Sequence, residues 1–201
     1  MSDTFRLTLA QLNATVGALE DNADRVRAAW QEAKLAGADM IAFPEMFITG
    51  YQLQDLVRKP AFAADVQRVL ERLAADCADG PAIGIGGPWP GPDKPFNAYF
   101  ILQGGKITAR VLKQHLPNYK VFDEKRYYHA GTPQGPVSVG PLRIGVPVCE
   151  DGWFEDVTET LEESGAEILL MPNGSPYHRG KMNIRQAVTV ARAIETGLPL
   201  V

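Results

Sequence analysis

Cysteine is nearly absent from this sequence: only Cys77 and Cys149 occur among 201 residues. Two thiols cannot form a disulfide framework, and they point to a reducing compartment. Basic charge is not in excess either, with 20 Lys and Arg against 24 Asp and Glu and a net charge of −4. A nucleic-acid binder would carry the opposite balance, so nucleic acid is excluded as a partner class. No apolar run is long enough to span a bilayer, which argues against a membrane protein. Residues 1–12 lack the charged, apolar and small-residue regions of a secretion leader, and a cytoplasmic location is expected. Internal repeats and low-complexity stretches are missing as well. What is present is ordinary for a globular chain: 45% hydrophobic and 22% charged residues, in a length that suits one sizeable domain.

The hydrophobic pattern alternates between strand and helix periods. Phe5 to Leu12 reads as a first strand, with Phe5, Leu7 and Leu9 at period two. A helix is expected from Glu20 to Ala36, its apolar stripe being Ala23, Val26, Trp30 and Ala33, with Gly37 ending it in the left-handed region. Met40 to Phe43 is a short buried strand. Pro60 opens a second helix whose inner face is Val66, Val69, Leu70, Leu73 and Cys77. Ala82 to Gly86 is a strand. Asn97 to Gln103 and Lys106 to Leu112 flank Gly104-Gly105, a hairpin signal. Leu142 to Val148 and Glu167 to Met171 are strands separated by a helix through Leu161. The segments 86–95 and 131–141 read as Gly- and Pro-rich loops. Arg185 to Thr196 is helical, with Ala187, Val188, Ala191 and Ile194 expected to face inward. Leu198 to Val201 begins a further strand. The fold class is α/β, with helices outside a mixed sheet, and the unfinished strand makes the sequence read as an incomplete domain.

Three ionisable side chains of different chemistry fall at the carboxyl ends of expected strands. Cys149 closes the run Arg143 to Val148 and is followed by Glu150, Asp151 and Gly152. Open α/β sheets place reactive groups at such positions, although a lone cysteine is more often a small buried hydrophobe. Glu45 follows the strand at Met40; the ordinary fate of a glutamate is an exposed loop. Lys113 ends the strand at Lys106, where a solvated lysine is the common case. Together they form a chemical set. A thiol attacks once its proton is taken, which Glu45 can do. Attack on an amide builds an oxyanion, which a lysine ammonium and a backbone N–H can hold. Cys77 reads as core, and His115, His129 and His178 lack comparable placement.

The motifs Phe43-Pro-Glu45 with Thr49-Gly-Tyr51, Lys113-Gln-His-Leu-Pro-Asn-Tyr119 with Phe122-Asp-Glu124, and Val148-Cys-Glu-Asp-Gly-Trp153 resemble the nitrilase superfamily of carbon–nitrogen hydrolases. The stretch Asn173 to Lys181 looks specific to the branch formed by the amino-terminal glutaminase domains of bacterial NAD+ synthetases. The likeness runs from about Leu7 to the last residue. It implies a nitrilase-like αββα sandwich with mixed sheets over residues 1–201, truncated at its C-terminal end, with the synthetase domain outside this sequence. It also implies roles. Glu45 would be the general base, Lys113 the oxyanion partner and Cys149 the nucleophile, with Glu124 a second glutamate that positions them. Glu124 otherwise reads as a surface residue of the charged run Asp123 to Arg126. Tyr51, Phe122, Glu150, Ser175 and Lys181 would line a glutamine pocket. Glutamine carries an α-ammonium and an α-carboxylate, so Glu150 and Lys181 suit its two ends. Trp153 and Tyr177 would either wall that pocket or join the core, and His178, Arg179, Lys181 and Arg185 read as a solvated loop and helix start.

The reaction implied is release of ammonia from L-glutamine through a cysteine thioester, feeding ATP-dependent NAD+ synthesis from nicotinic acid adenine dinucleotide. No metal or cofactor is expected in this domain; ATP and Mg2+ belong to the synthetase domain, which would be its partner. A homo-oligomer packed through the sandwich helices is also implied. Two other readings stay open: a free-standing amidase or carbamoylase acting on another small amide, and a non-catalytic module that kept the fold.

Overall fold

The computed structural model describes residues 4–201. Two sheets stack face to face, with helices on both outer sides. The larger sheet has the order β1 (Leu7–Leu9), β2 (Met40–Ala42), β3 (Ala82–Trp89), β4 (Phe96–Gln103), β5 (Lys106–Leu112). Its first two pairings are parallel and its last two antiparallel. The smaller sheet pairs β6 (Val137–Val139) antiparallel with β7 (Leu142–Gly145), and β7 parallel with β8 (Ile168–Leu169).

Strand periodicity sorts the core into layers. Along β4, Ala98, Phe100 and Leu102 face the helices α1 (Leu19–Leu35) and α2 (Pro60–Asp76), where they meet Trp30, Val66 and Leu70. Tyr99 and Ile101 point the other way, into the layer between the sheets, against Val139, Ile144, Val146 and Val148. The outer face of the smaller sheet is covered by α4 (Glu155–Glu163) through Val157 and Leu161. Alternate residues of one strand thus bury into two different layers, which gives the order helix, sheet, sheet, helix. Two buried aromatics are tied by hydrogen bonds: Trp30 Nε1 donates to the Pro81 carbonyl at 2.8 Å and Tyr99 Oη to the Phe43 carbonyl at 2.9 Å.

The helix starts and stops follow local chemistry. Pro60 takes the first position of α2, and Gly37, at φ +69°, terminates the turn after α1. Gly104 and Gly105, at φ +57° and +82°, make the hairpin between β4 and β5. Several expected boundaries shift. The first strand is Leu7–Leu9 rather than Phe5 to Leu12, and the strand after Arg143 leaves its ladder at Gly145, so Val146 to Val148 run on unpaired. The segment expected as pure loop at 131–141 contains β6, whose Val137 and Val139 are buried while Ser138 is exposed. Helix α5 (Lys181–Thr196) starts earlier than expected, and its inner face is only partly the expected one, with Val188 and Ala191 half-buried. Ile194 is 75% exposed and Ala187 is exposed, while Arg192 is 8% exposed. The row through Arg185, Val188, Thr189 and Arg192 lies inward, and Arg192 pairs within the helix to Glu195 at 2.8 Å. Leu200 bridges Leu169 in parallel, so the final residues extend the smaller sheet. Among the described residues no helix is long and apolar enough to cross a membrane.

Gly86 of β3 shows how closely this frame meets the loop after β2. A Cβ there would fall 2.1 Å from the Met46 amide nitrogen and 2.7 Å from the Glu45 Cα, both backbone atoms. Gly86→Ala is therefore expected to destabilise the fold by about 1–3 kcal/mol through overpacking, read as a lower denaturant midpoint. Substituting Gly87, where a Cβ meets the side chain of Ile48, should cost less, because a side chain yields more easily than backbone.

Candidate active site

The strand ends at β2, β5 and β7 bring Glu45, Lys113 and Cys149 into one buried cluster, at 3%, 0% and 3% exposure. Glu124 joins them at 2%, from the first position of the short helix α3 (Glu124–Tyr127). Lys113 Nζ lies 2.7 Å from Glu45 Oε1 and 2.9 Å from Glu124 Oε2. Burial alone would lower the lysine pKa, but the charges of Glu45, a Cys149 thiolate and Glu124 together raise it well above the ordinary lysine value. Lys113 is thus a permanent cation between two carboxylates. Glu45 Oε2 accepts a further bond from the Gly174 N–H at 2.9 Å.

Glu124 behaves differently from its neighbour. Burial pushes its pKa up to about 7, against the pull of Lys113 and with a further push from Glu45. Tyr51 Oη donates to Glu124 Oε1 at 2.9 Å. Burial and the adjacent Glu124 carboxylate hold that phenol far above its usual pKa, so Tyr51 stays a donor.

Cys149 sits at φ +51°, in the left-handed region that a cysteine rarely adopts. Its N–H is held by the Pro172 carbonyl at 3.0 Å. Burial and the Glu45 charge push its thiol up to about 12, against the attraction of Lys113. Ser175 Oγ is 3.8 Å from Sγ. Cys77, at the C-terminal cap of α2 and in the core as expected, is also raised, to about 11, mainly by burial.

Asp151 connects the two loops that carry Lys113 and Cys149. Its Oδ1 accepts the Gln114 and His115 N–H groups at 3.0 and 2.7 Å, and its Oδ2 accepts the Val148 N–H at 3.1 Å. Asp151 lies within the Val148 to Trp153 motif without a part of its own there, and nothing local marks the buried Asn97; the weight of both comes from what the fold brings to them. Tyr119 is a third addition. Its hydroxyl donates to both Glu150 carboxylate oxygens at 3.0 Å, and its ring packs edge-on against Phe122 at 5.6 Å.

The other sequence-derived positions divide. Phe122 is buried and lies 6.4 Å from the Tyr51 ring. Glu150 lines a cavity of about 640 Å3 together with His115, Tyr119 and Phe154. Lys181 stands over the Trp153 ring at 5.7 Å and is not drawn into the Glu45 cluster. Tyr177 is 93% exposed and is neither wall nor core, because its loop lies outside both packed layers. A second cavity of about 630 Å3 opens between the two sheets beside Leu9, Ala42, Tyr99 and Leu170, apart from the charged cluster.

Residues 6–201 match the carbon-nitrogen hydrolase family. The chain is 55% identical over 200 residues to the glutamine-dependent NAD(+) synthetase of Rhodobacter capsulatus, covering 100% of this chain and 36% of that protein. It is 39% identical to the protein of the same name from Xanthomonas campestris, covering 96% of this chain and 36% of that one. The chain therefore spans about a third of the length of these curated relatives. Among solved structures, the glutamine-dependent NAD+ synthetase of Acinetobacter baumannii superposes with a TM-score of 0.92 at 28% identity, over 98% of this chain and 37% of that one. An amidase from Nesterenkonia sp. shares the fold with a TM-score of 0.85 at 23% identity, over 98% of this chain and 74% of that one.

Two outcomes follow from this geometry. Asp151→Ala leaves three buried or half-buried N–H groups without an acceptor, and a loss of about 3 kcal/mol is expected in chemical denaturation. The second concerns ionisation. A thiol whose pKa is raised stays protonated as pH climbs through the ordinary cysteine value. The difference in ultraviolet thiolate absorbance between the protein and its Cys149→Ala variant should be nil at pH 9, where an ordinary thiol would be largely ionised.

Proposed function

The chain belongs to the carbon–nitrogen hydrolase family, and from that premise we propose that it is a glutamine amidohydrolase domain that supplies ammonia for NAD+ synthesis. The observation that carries the chemistry is the buried Lys113 held between Glu45 and Glu124 beside Cys149. The choice of glutamine rests on the names of the most similar relatives and on the polar groups beside the cluster, Glu150 with Tyr119 and Ser175.

Cys149 Sγ attacks the side-chain carboxamide carbon of glutamine as its proton passes to Glu45. The carbonyl electrons become an oxyanion, met by Lys113 Nζ and the backbone N–H of Glu150. That N–H opens the helical turn Cys149–Trp153, where the first N–H groups lack partners within the turn. The tetrahedral intermediate collapses, the C–N bond breaks, and ammonia leaves with the proton that Glu45 returns. Water, deprotonated by Glu45, then hydrolyses the thioester and releases glutamate and the free thiol. Glu124 positions Lys113 and Tyr51 without exchanging a proton with substrate. Glu150 pairs the α-ammonium of glutamine, and Phe122, Tyr51 and Ser175 flank it. Lys181 would have to swing from Trp153 to meet the α-carboxylate.

In this reading residues 1–201 form the carbon–nitrogen hydrolase unit of a longer, cytoplasmic, homo-oligomeric protein. The synthetase part of that protein would use ATP with Mg2+ to activate nicotinic acid adenine dinucleotide for amidation. Ammonia release from glutamine by the intact protein tests the whole reading, measured with and without ATP and that dinucleotide. Release is expected to rise with the second substrates and to vanish in Cys149→Ala. Glu45→Gln should lower kcat by about 10²–10⁴-fold, the range for loss of a general base. Hydrolysis of other small amides with none of glutamine would keep the nucleophile and overturn the substrate.

A further inference from the structure

Asn97 lies in β4, wholly buried, and neither the family motifs nor the reaction above assigns it a part. Its side-chain nitrogen donates to Glu45 Oε1 at 2.8 Å and to Glu124 Oε1 at 3.2 Å. Its backbone carbonyl accepts the Lys113 N–H at 2.9 Å. Its partner across the β3–β4 pairing is Pro88, which has no N–H to give. One residue therefore grips the lysine by main chain and both of that lysine's carboxylates by side chain. The amide orientation is dictated by its neighbours. Turned over, Asn97 would aim its oxygen at two carboxylates, so the nitrogen must face them.

Counting donors on Glu45 shows the consequence. Oε1 receives Lys113 and Asn97, which fills its two lone pairs. Oε2 receives only the Gly174 N–H, so one lone pair remains. Without Asn97, Oε1 would keep a free lone pair as well, and the carboxylate could rotate or take the proton on either oxygen. We propose that Asn97 is a positioning residue that locks the Glu45 carboxylate so that Oε2 alone accepts the proton of Cys149. The step is a simple transfer: the S–H bond breaks, an O–H bond forms at Oε2, and the thiol's electron pair is left on sulfur for attack. The inference rests on the reading of Glu45 as base and Cys149 as nucleophile given above.

An N–H donor favours the charged carboxylate. Removing Asn97, which donates to both Glu45 and Glu124, must therefore raise the pH at which the coupled pair gives up its last proton and leaves Glu45 able to accept, whereas loss of mere packing would lower stability without moving that pH. The test is the rate of Cys149 alkylation by iodoacetamide in the intact protein from pH 5 to 9, with Cys149→Ala as the blank for Cys77. Asn97→Ala should shift the acid limb of the profile upward by about one unit and slow alkylation on that limb about tenfold. Asn97→Asp, equal in shape but adding a third carboxylate, should shift it further, and it carries the test if Asn97→Ala does not fold. With glutamine, kcat should fall while KM changes less than about threefold, the pattern for an interaction that matters only in the transition state. Acid limbs that coincide with the wild type in folded variants overturn the inference. A wild-type limb that Glu45→Gln leaves in place overturns the reading of Glu45 as base, a different failure that the same profiles distinguish.

Discussion

The structure turns on an ammonium buried between two carboxylates. Removing Lys113, Glu45 and Glu124 from water is costly, and their mutual contacts at 2.7 and 2.9 Å, with the bonds from Asn97, Tyr51 and Gly174, offset it. One cation against two anions leaves an excess negative charge, and Glu124, lifted to about 7, is the group through which the cluster can shed it. Such a cluster is weak evidence for stability, because a well-packed apolar core would do as well. Its presence at full burial is better explained by what it does to the neighbouring sulfur.

Holding that cluster requires the frame to converge from distant parts of the chain. Glu45, Lys113 and Cys149 follow the ends of separate strands, two of one sheet and one of the other. Asp151 ties the loop after β5 to the turn after β7. Gly86 lets β3 run against the backbone of Glu45 and Met46. The left-handed backbone of Cys149, and of Met46 next to Glu45, is the local cost of aiming these side chains inward. These are constraints on backbone placement, and they explain why the site's support falls to residues with no chemistry of their own.

The layered fold was largely legible, because periods of two and 3.6 are direct consequences of burying one face. Pro60, Gly37 and the Gly104-Gly105 turn acted as local physics predicts. The β6 strand escaped because three residues, flanked by glycines and prolines, carry too short an alternation to separate from a loop. The inner face of α5 was partly misread because its buried row includes Arg192, a residue whose charge argues for the outside until its partner Glu195 is seen. The four ionisable residues of the site could be picked out by strand-end placement and by motif, and the structure brings them together. Asn97 could not, and Asp151 and Tyr119 stand inside the motifs without a visible part, since their contacts cross long sequence separations, such as Asn97 with Glu45, Asp151 with His115 or Tyr119 with Glu150.

The raised thiol constrains any mechanism at this site. A cysteine whose pKa is pushed up to about 12 holds almost no thiolate at neutral pH, so the sulfur cannot wait ionised for a substrate. Ionisation must coincide with attack, when the new negative charge moves off sulfur to the substrate oxygen. In the proposed reaction Lys113 meets that charge. An ammonium has three N–H donors: Glu45 Oε1 accepts one at 2.7 Å, while Glu124 Oε2, 2.9 Å away, pairs with the charge and takes no hydrogen bond. A donor not taken by Glu45 is then free for the oxyanion of the proposed reaction. The same lysine therefore stabilises a resting thiolate only weakly, its charge being offset by the two carboxylates, yet keeps a directed donor for charge that appears later. Stabilisation is thus held back until the bond to carbon forms, which is the condition for binding energy to lower a barrier rather than deepen a ground state.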